Sequence, residues 1–211
     1  MTILVKELGT VAYDVSYAAM RDFNASRTAA TEDEIWLLEH PPVYTLGLSG
    51  KRNNLINTGT IPVVETDRGG QVTYHGPGQL VAYLLIDLSR RPYAVKRFVT
   101  LIEQAIIDYL QSIGISAERK AGAPGVYVTG KKIAALGVRV KRKGSYHGLA
   151  LNVDMDLSPY QGINPCGYAG MECTRIKDLI DTINMQEVYK SLPEFLLRQL
   201  DLSQSSFSDV A

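Results

Sequence analysis

Apolar residues recur at intervals of three and four through Val95, Phe98, Val99, Ile102, Ala105, Ile106, Tyr109, Leu110 and Ile113, the spacing of one buried helix face. Gly114 follows where a left-handed C-terminal cap belongs. Val15 to about Ala30 has the same spacing, with Val15, Ala19, Phe23 and Ala30 towards one face and Asp14 as its N-cap. Elsewhere the apolar positions tighten into short runs. Residues 3–7, Glu34 to Glu39, Val43 to Leu48, Pro62 to Thr66 and Leu80 to Ile86 read as strands, and His40-Pro41-Pro42 forces the turn between the second and third. Lys51 to Thr60 is a polar loop with room for one helical turn. A short strand near Ile115 to Arg119 precedes a meander of three, Val126 to Val128, Lys132 to Val140 and Tyr146 to Val153. Its turns fall at Thr129-Gly130-Lys131 and Lys141-Arg142-Lys143-Gly144. Helical stretches at about Arg175 to Ile180 and Met185 to Leu200 follow, and Asp201 to Ala211 reads as a polar, frayed tail.

Nothing in this pattern divides the chain, and 211 residues suffice for one well-formed core, so a single domain over 1–211 is expected. Basic and acidic residues balance at 22 each, which argues against a general nucleic-acid binder. No apolar run approaches the length of a membrane span, and Met1 to Gly9 lacks the features of a signal peptide. The expectation is a cytoplasmic protein with no membrane partner. Cys166 and Cys173 have no second Cys or His pair at metal-ligand spacing beside them, so no metal site is expected.

Charge is nevertheless locally sorted. Between Arg119 and Lys143 stand eight basic residues (Arg119, Lys120, Lys131, Lys132, Arg139, Lys141, Arg142 and Lys143) and no acidic one. A solvated hairpin and a docking face for an acidic partner both fit such a run.

Candidate chemistry gathers at two places. Arg68 to Leu80 holds four glycines, a proline and a histidine in thirteen positions, directly before an apolar strand. Glycine there serves either a pair of tight turns or a ligand lying against the main chain, and Arg68 and His75 favour the ligand. The second place is the loop Asp156 to Met171, long for a mere connection, with Cys166 between Pro165 and Gly167. A nucleophilic thiol needs a neighbouring cation or base, and Lys132, His75, His147 and Arg68 are the candidates. Lys132 at a strand start also reads as an ordinary solvated edge charge. Cys173 reads as packing.

Four motifs in order, Arg68-Gly69-Gly70-x-x-Thr73-Tyr74-His75-Gly76-Pro77-Gly78-Gln79-Leu80-Val81, Gly130-x-Lys132-Ile133-Ala134-Ala135-x-Gly137-Val138, His147-Gly148-x-Ala150-Leu151-Asn152-Val153 and Asn164-Pro165-Cys166-Gly167, resemble the octanoyltransferases of lipoate biosynthesis. The resemblance covers roughly residues 3–185; one departure is Leu84 after Tyr83, where many relatives carry proline. It implies an α/β (α+β) domain of the biotin and lipoate protein ligase type, with a mixed, largely antiparallel sheet flanked by helices. It implies transfer of an octanoyl group from octanoyl acyl carrier protein to a lysine of a lipoyl domain, through a thioester on Cys166, with Lys132 lowering the thiol pKa. The acceptors would be the E2 subunits of 2-oxoacid dehydrogenases and the glycine cleavage H protein. No cofactor is implied. Arg68, Gly69, Gly70, Gln71, Val72, Thr73, Tyr74 and His75, with Ala135, Leu136, Gly137, Gly148, Leu149 and Ala150, would line the acyl pocket. His147 would have a pocket or proton-handling role. An ATP-dependent ligase on the same fold, a cysteine hydrolase pairing Cys166 with His75 or His147, and a non-enzymatic lipoyl-domain binder are the alternative readings.

Overall fold

A computed structural model describes residues 3–167 and 170–200, together with the backbone of 205–209. Ile3–Thr10 (β1) leads through the helix Tyr13–Ser26 (α1) to Asp33–Glu39 (β2), which lies parallel to β1 with Ile3 opposite Asp33. A parallel pair needs such a crossover, and α1 supplies it. After His40-Pro41-Pro42 the chain leaves this sheet. Val43–Leu46 (β3), Val63–Glu65 (β4) and Val72–His75 (β5) form a separate three-stranded sheet in the order β4-β3-β5. Gln79–Leu85 (β6) then re-enters the main sheet antiparallel to β2, and the glycine-rich stretch is the passage from one sheet to the other.

The amphipathic helix Val95–Ser112 (α2) follows, with Gly114 at φ +83° just beyond it. Glu118–Arg119 (β7), Val126–Val128 (β8), Lys131–Lys141 (β9) and Gly144–Asn152 (β10) are the meander with one extra edge strand. Met185–Gln199 (α3) packs beside α2, and Ser205–Asp209 (β11) adds a parallel edge to β1, giving the order β11-β1-β2-β6-β10-β9-β8-β7. The mixed sheet is thus largely antiparallel, as expected. Both hairpin turns of the meander are two-residue loops with positive φ at both positions, Thr129-Gly130 and Arg142-Lys143, which match the twist of the flanking strands.

Alternate residues of the central strands serve two cores. Ile35, Leu37, Leu80, Ala82 and Leu84 join Phe98, Ile102, Ile106, Leu192 and Leu196 under α2 and α3. Trp36, Leu38, Val81, Tyr83 and Leu85 face the other way, with Met20 of α1, Tyr146 and Ala150.

Five expectations need correction. Val15 is 58% exposed, while Tyr13, Ser16, Met20 and Asn24 form the buried side of α1; the Ser16 hydroxyl donates to Tyr13 O and Asn24 Nδ2 donates to Lys141 O. Asp14 lies in the first turn of α1 rather than capping it, since the helix starts two residues earlier than its spacing suggests. The stretch Arg175 to Ile180 is a single tight turn, Ile176–Asp178, and the strand near Ile115 is only Glu118–Arg119. In the polar tail, 205–209 is paired, Ile3 opposite Ser205; this pairing joins main chains and needs no apolar pattern. Residues 201–204 and 210–211 of that tail lie outside the described residues.

Candidate active site

Cys166 sits at φ +55° and ψ +17°, a left-handed conformation that costs a non-glycine residue on the order of 1 kcal/mol. Its loop is held against the glycine-rich element. Gly167 N donates to Asn164 O at 2.9 Å, Asn164 N to Asn54 O at 2.8 Å, and Asn54 Nδ2 to Gln71 Oε1 at 2.8 Å. The Gln71 amide fills the space where a side chain at 167 would stand, for a Cβ there would lie 2.2 Å from Gln71 Oε1. A side chain there would have to displace the Gln71 amide, and the φ of +77° also favours glycine.

Lys132, at the start of β9, is 4% exposed, so it is not a solvated edge charge. The segment Glu172 to Thr174 pairs with it from outside the meander: Lys132 N donates to Glu172 O, and Thr174 N to Lys132 O, each at 2.9 Å. Its Nζ donates to Cys166 Sγ at 2.9 Å and to Pro124 O at 3.1 Å, and lies 5.2 Å from the Tyr127 ring centroid. Burial works against the ammonium, but the negative charge of an ionised Cys166 and the Tyr127 oxygen outweigh it and hold Lys132 above the ordinary lysine range. Cys173 is a different thiol. Burial pushes it up to about 12, and it packs under the three-stranded sheet.

Two cavities meet at Cys166. A narrow one runs over the α1 face of the main sheet, and a wider one opens between Ser49, Val99, the loop Gly122 to Pro124 and Lys132; Gly70, Gln71, Leu136 and Gly137 line both. Arg68, Val72, Thr73, His75, Ala135, His147, Gly148, Leu149 and Ala150 also line the narrow cavity. Two residues of the predicted pocket do not. Gly69 faces the wider cavity, and Tyr74 turns away into the core of the three-stranded sheet with Tyr44 and Tyr160, because neighbouring strand residues point to opposite faces. Gly148 brings β10 close to β6, where a Cβ would lie 2.1 Å from Ala82 O. Val81, which ends the first motif, lines it too, and Tyr13 and Tyr83, which carry no motif signal, complete the lining; alternation from Val81 to Tyr83 on β6 was the one available clue.

The polar groups around the narrow cavity are mostly committed to the fold. Buried Arg68 donates Nε to Thr45 Oγ1 (3.0 Å), Nη1 to Gly69 O (3.0 Å) and Nη2 to Thr45 O and Gln71 O (2.6 Å each), so it organises the backbone of the glycine-rich element. His75 lies between Gln79 Oε1 at 2.8 Å and Thr45 Oγ1 at 3.3 Å, and burial holds it well below the ordinary histidine range. Neither touches Cys166 in the manner of Lys132. His40, absent from the sequence-based candidates, bridges Val11 O (2.6 Å) and the Tyr83 hydroxyl (2.7 Å), and burial lowers it to about 4. His147 adopts φ +57°, which breaks strand alternation so that Tyr146 and His147 both reach Asp67, at 2.5 and 3.2 Å. That carboxylate, also bonded by the Tyr17 hydroxyl, is held well below its usual range, chiefly by His147.

The basic run does not form one surface. Arg119 pairs with Glu103, Lys131 with Glu172, Lys120 lies against the Tyr127 ring, and Lys132 is buried. Lys141, Arg142 and Lys143 stay exposed at the β9–β10 turn.

Comparison with known proteins bears on this geometry. Residues 12–196 match the family model described as the lipoyl protein ligase A/B catalytic domain. An octanoyltransferase of Dechloromonas aromatica (strain RCB) is 57% identical over 201 residues, 95% of this chain and 98% of that protein. One from Aromatoleum aromaticum is 62% identical over 176 residues, 83% of this chain and 76% of that protein. Among solved structures, a lipoate-protein ligase A bound with ATP superposes with a TM-score of 0.82 at 14% identity, covering 100% of this chain and 90% of that one, a likeness of fold.

Proposed function

Since the chain belongs to the lipoyl protein ligase A/B catalytic-domain family and, within it, to the octanoyltransferases of protein lipoylation, we propose that its octanoyl transfer runs through a thioester on Cys166, with Lys132 as the proton carrier. The observation that supports this most is the 2.9 Å contact of Lys132 Nζ with Cys166 Sγ where the two cavities meet.

The steps balance without a cofactor. The Cys166 thiolate attacks the carbonyl of octanoyl acyl carrier protein, and the carrier's sulfur leaves with the proton of the Lys132 ammonium. One thioester replaces another, so the exchange is nearly neutral in free energy and needs no ATP. Acylation also removes the thiolate charge that helped hold Lys132 protonated, so burial, the largest influence, then favours the neutral amine against the Tyr127 oxygen. The acceptor lysine of a lipoyl domain attacks the thioester, Lys132 takes its proton, and Cys166 leaves as thiolate. Amide formation runs downhill and restores the starting ion pair. Gly70 and Gln71 line both cavities beside Cys166, and their backbone amides are assigned to the tetrahedral oxyanion.

The narrow cavity is assigned to the octanoyl chain and the wider one to the arriving thioester and lysine. Burying the alkyl part at roughly 0.8 kcal/mol per CH₂ contributes about 5 to 6 kcal/mol. The exposed turn at Arg142 and Lys143 is assigned to docking of the acidic carrier and lipoyl domains. The setting is the cytoplasm, whose thiol pool keeps Cys166 reduced.

Iodoacetamide alkylation of Cys166 over a pH series tests the pair. In Lys132→Ala the alkylation rate at neutral pH is expected to fall about tenfold. Lys132→Arg keeps the charge but accepts no proton near neutrality, so it is expected to alkylate well yet not to pass octanoate to the acceptor. An unchanged profile in Lys132→Ala would show that something else activates the thiol.

A further inference from the structure

The narrow cavity crosses the main sheet rather than following a strand. Leu136 and Gly137 of β9 line both cavities beside Cys166, whereas Gly148 and Ala150 of β10, and Val81 and Tyr83 of β6, line the narrow one alone. None of the described residues of β2, the next strand, lines it. An acyl chain held on Cys166 therefore runs from β9 over β10 and ends at β6. Two interstrand steps of about 4.8 Å each span that path, close to the reach of an extended octanoyl chain.

Side-chain size along this path is graded. Residues paired directly across a sheet share a face, and the register places Ala135 opposite Ala150, Ala150 opposite Val81 and Val81 opposite Leu38. From β9 outwards the row reads Ala, Ala, Val, Leu. Two methyl groups floor the path, and Val81 is the first residue of the row to extend beyond its Cβ; Leu38 behind it is fully buried. The same end is closed from outside the sheet. The Tyr83 hydroxyl pairs with His40 Nε2 at 2.7 Å, and the His40 ring packs against His75 (centroids 5.7 Å apart) and Tyr13 (5.2 Å), which line the cavity from β5 and α1.

We propose that Val81, backed by Leu38 and flanked by the tethered Tyr83, is the residue that sets the acyl length, as the end wall against which the last carbon of an octanoyl chain stops. The inference rests on the assignment of this cavity to the acyl chain. Val81 takes no part in bond making, so the transfer steps are unchanged.

The test exposes the unaltered protein, Val81→Ala and Val81→Leu to an equimolar mixture of hexanoyl, octanoyl, decanoyl and dodecanoyl thioesters of one small thiol, and reads the early adducts by intact mass. The octanoyl adduct is expected to dominate in the unaltered protein. Val81→Ala moves the wall back and is expected to raise the ratio of decanoyl to octanoyl about tenfold, a discrimination within reach of an apolar pocket. Val81→Leu moves it forward and is expected to raise the ratio of hexanoyl to octanoyl about tenfold. A folding defect lowers all adducts together and leaves their ratios alone, and the two shifts have opposite sign, so either variant suffices. Unchanged ratios in the variants would overturn the proposal, and so would decanoyl equal to octanoyl in the unaltered protein. Absence of any adduct from the unaltered protein would instead overturn the thioester reading.

Discussion

The two faces of the eight-stranded sheet are made from alternate residues of the same strands, yet one is filled and the other is left hollow. Under α2 and α3 the strands present Leu80, Ala82 and Leu84 to a continuous aliphatic core. Under α1 they present Val81 and Tyr83, with Ala150 and Gly148 beside them, to a cavity rimmed by buried tyrosines and histidines. The filled face holds the sheet together, which allows the other to carry strained residues such as His147 and buried groups such as Arg68. Stability and selectivity should therefore separate by face.

The largest expected effects test that separation. Leu84→Ala, on the filled face and fully buried, is expected to cost about 2 to 5 kcal/mol in chemical denaturation while leaving the ratio of octanoyl to hexanoyl transfer unchanged. Ala150→Leu, on the hollow face, is expected to cost about 1 to 3 kcal/mol and to lower octanoyl transfer about 100-fold while hexanoyl suffers less. A change of chain-length preference in Leu84→Ala as large as that in Ala150→Leu would break the division.

Acid should weaken the hollow face. His40, lowered to about 4 by burial, binds no proton in the fold at pH values where an unfolded histidine does. Its contribution is complete above about 6.5 and is lost as pH falls from there towards about 4, on the order of 3 kcal/mol in all. His75 and His147 are shifted in the same direction. Unfolding free energies at pH 7.5 and pH 5 should differ accordingly, and less so in His40→Gln. Equal pH dependence in both proteins would remove His40 from this account.

The smallest effect lies off both faces. Reversing charge at Arg142 and Lys143 is expected to slow transfer from octanoyl carrier protein about tenfold, mainly through association, while sparing a small octanoyl thioester. Equal loss with both donors would return the turn to the role of a solvated hairpin.

How much of this was legible in the sequence varied with the range of the interactions involved. The α2 helix and the meander follow from periodicity and turn chemistry, both local. The buried side of α1 was not legible, since Ser16 and Asn24 are buried through hydrogen bonds whereas apolar Val15 is exposed. The strand at 205–209 escaped notice because polar residues pair through the main chain. Lys132 read locally as a surface charge, and only the distant segment Glu172 to Thr174 and the loop at Pro124 bury it. The motif resemblance pointed to the pairing of Lys132 with Cys166; no local property of either residue did. Tyr13 and Tyr83 belong to the cavity by three-dimensional placement alone.

The claim on which the rest depends is that Cys166 carries the acyl group. The direct measurement is the intact mass of the protein after incubation with octanoyl acyl carrier protein, without acceptor and without ATP. The account predicts a single octanoyl adduct, removed by hydroxylamine and absent from Cys166→Ala. An adduct that persists in Cys166→Ala, or that forms only when ATP is added, would contradict it.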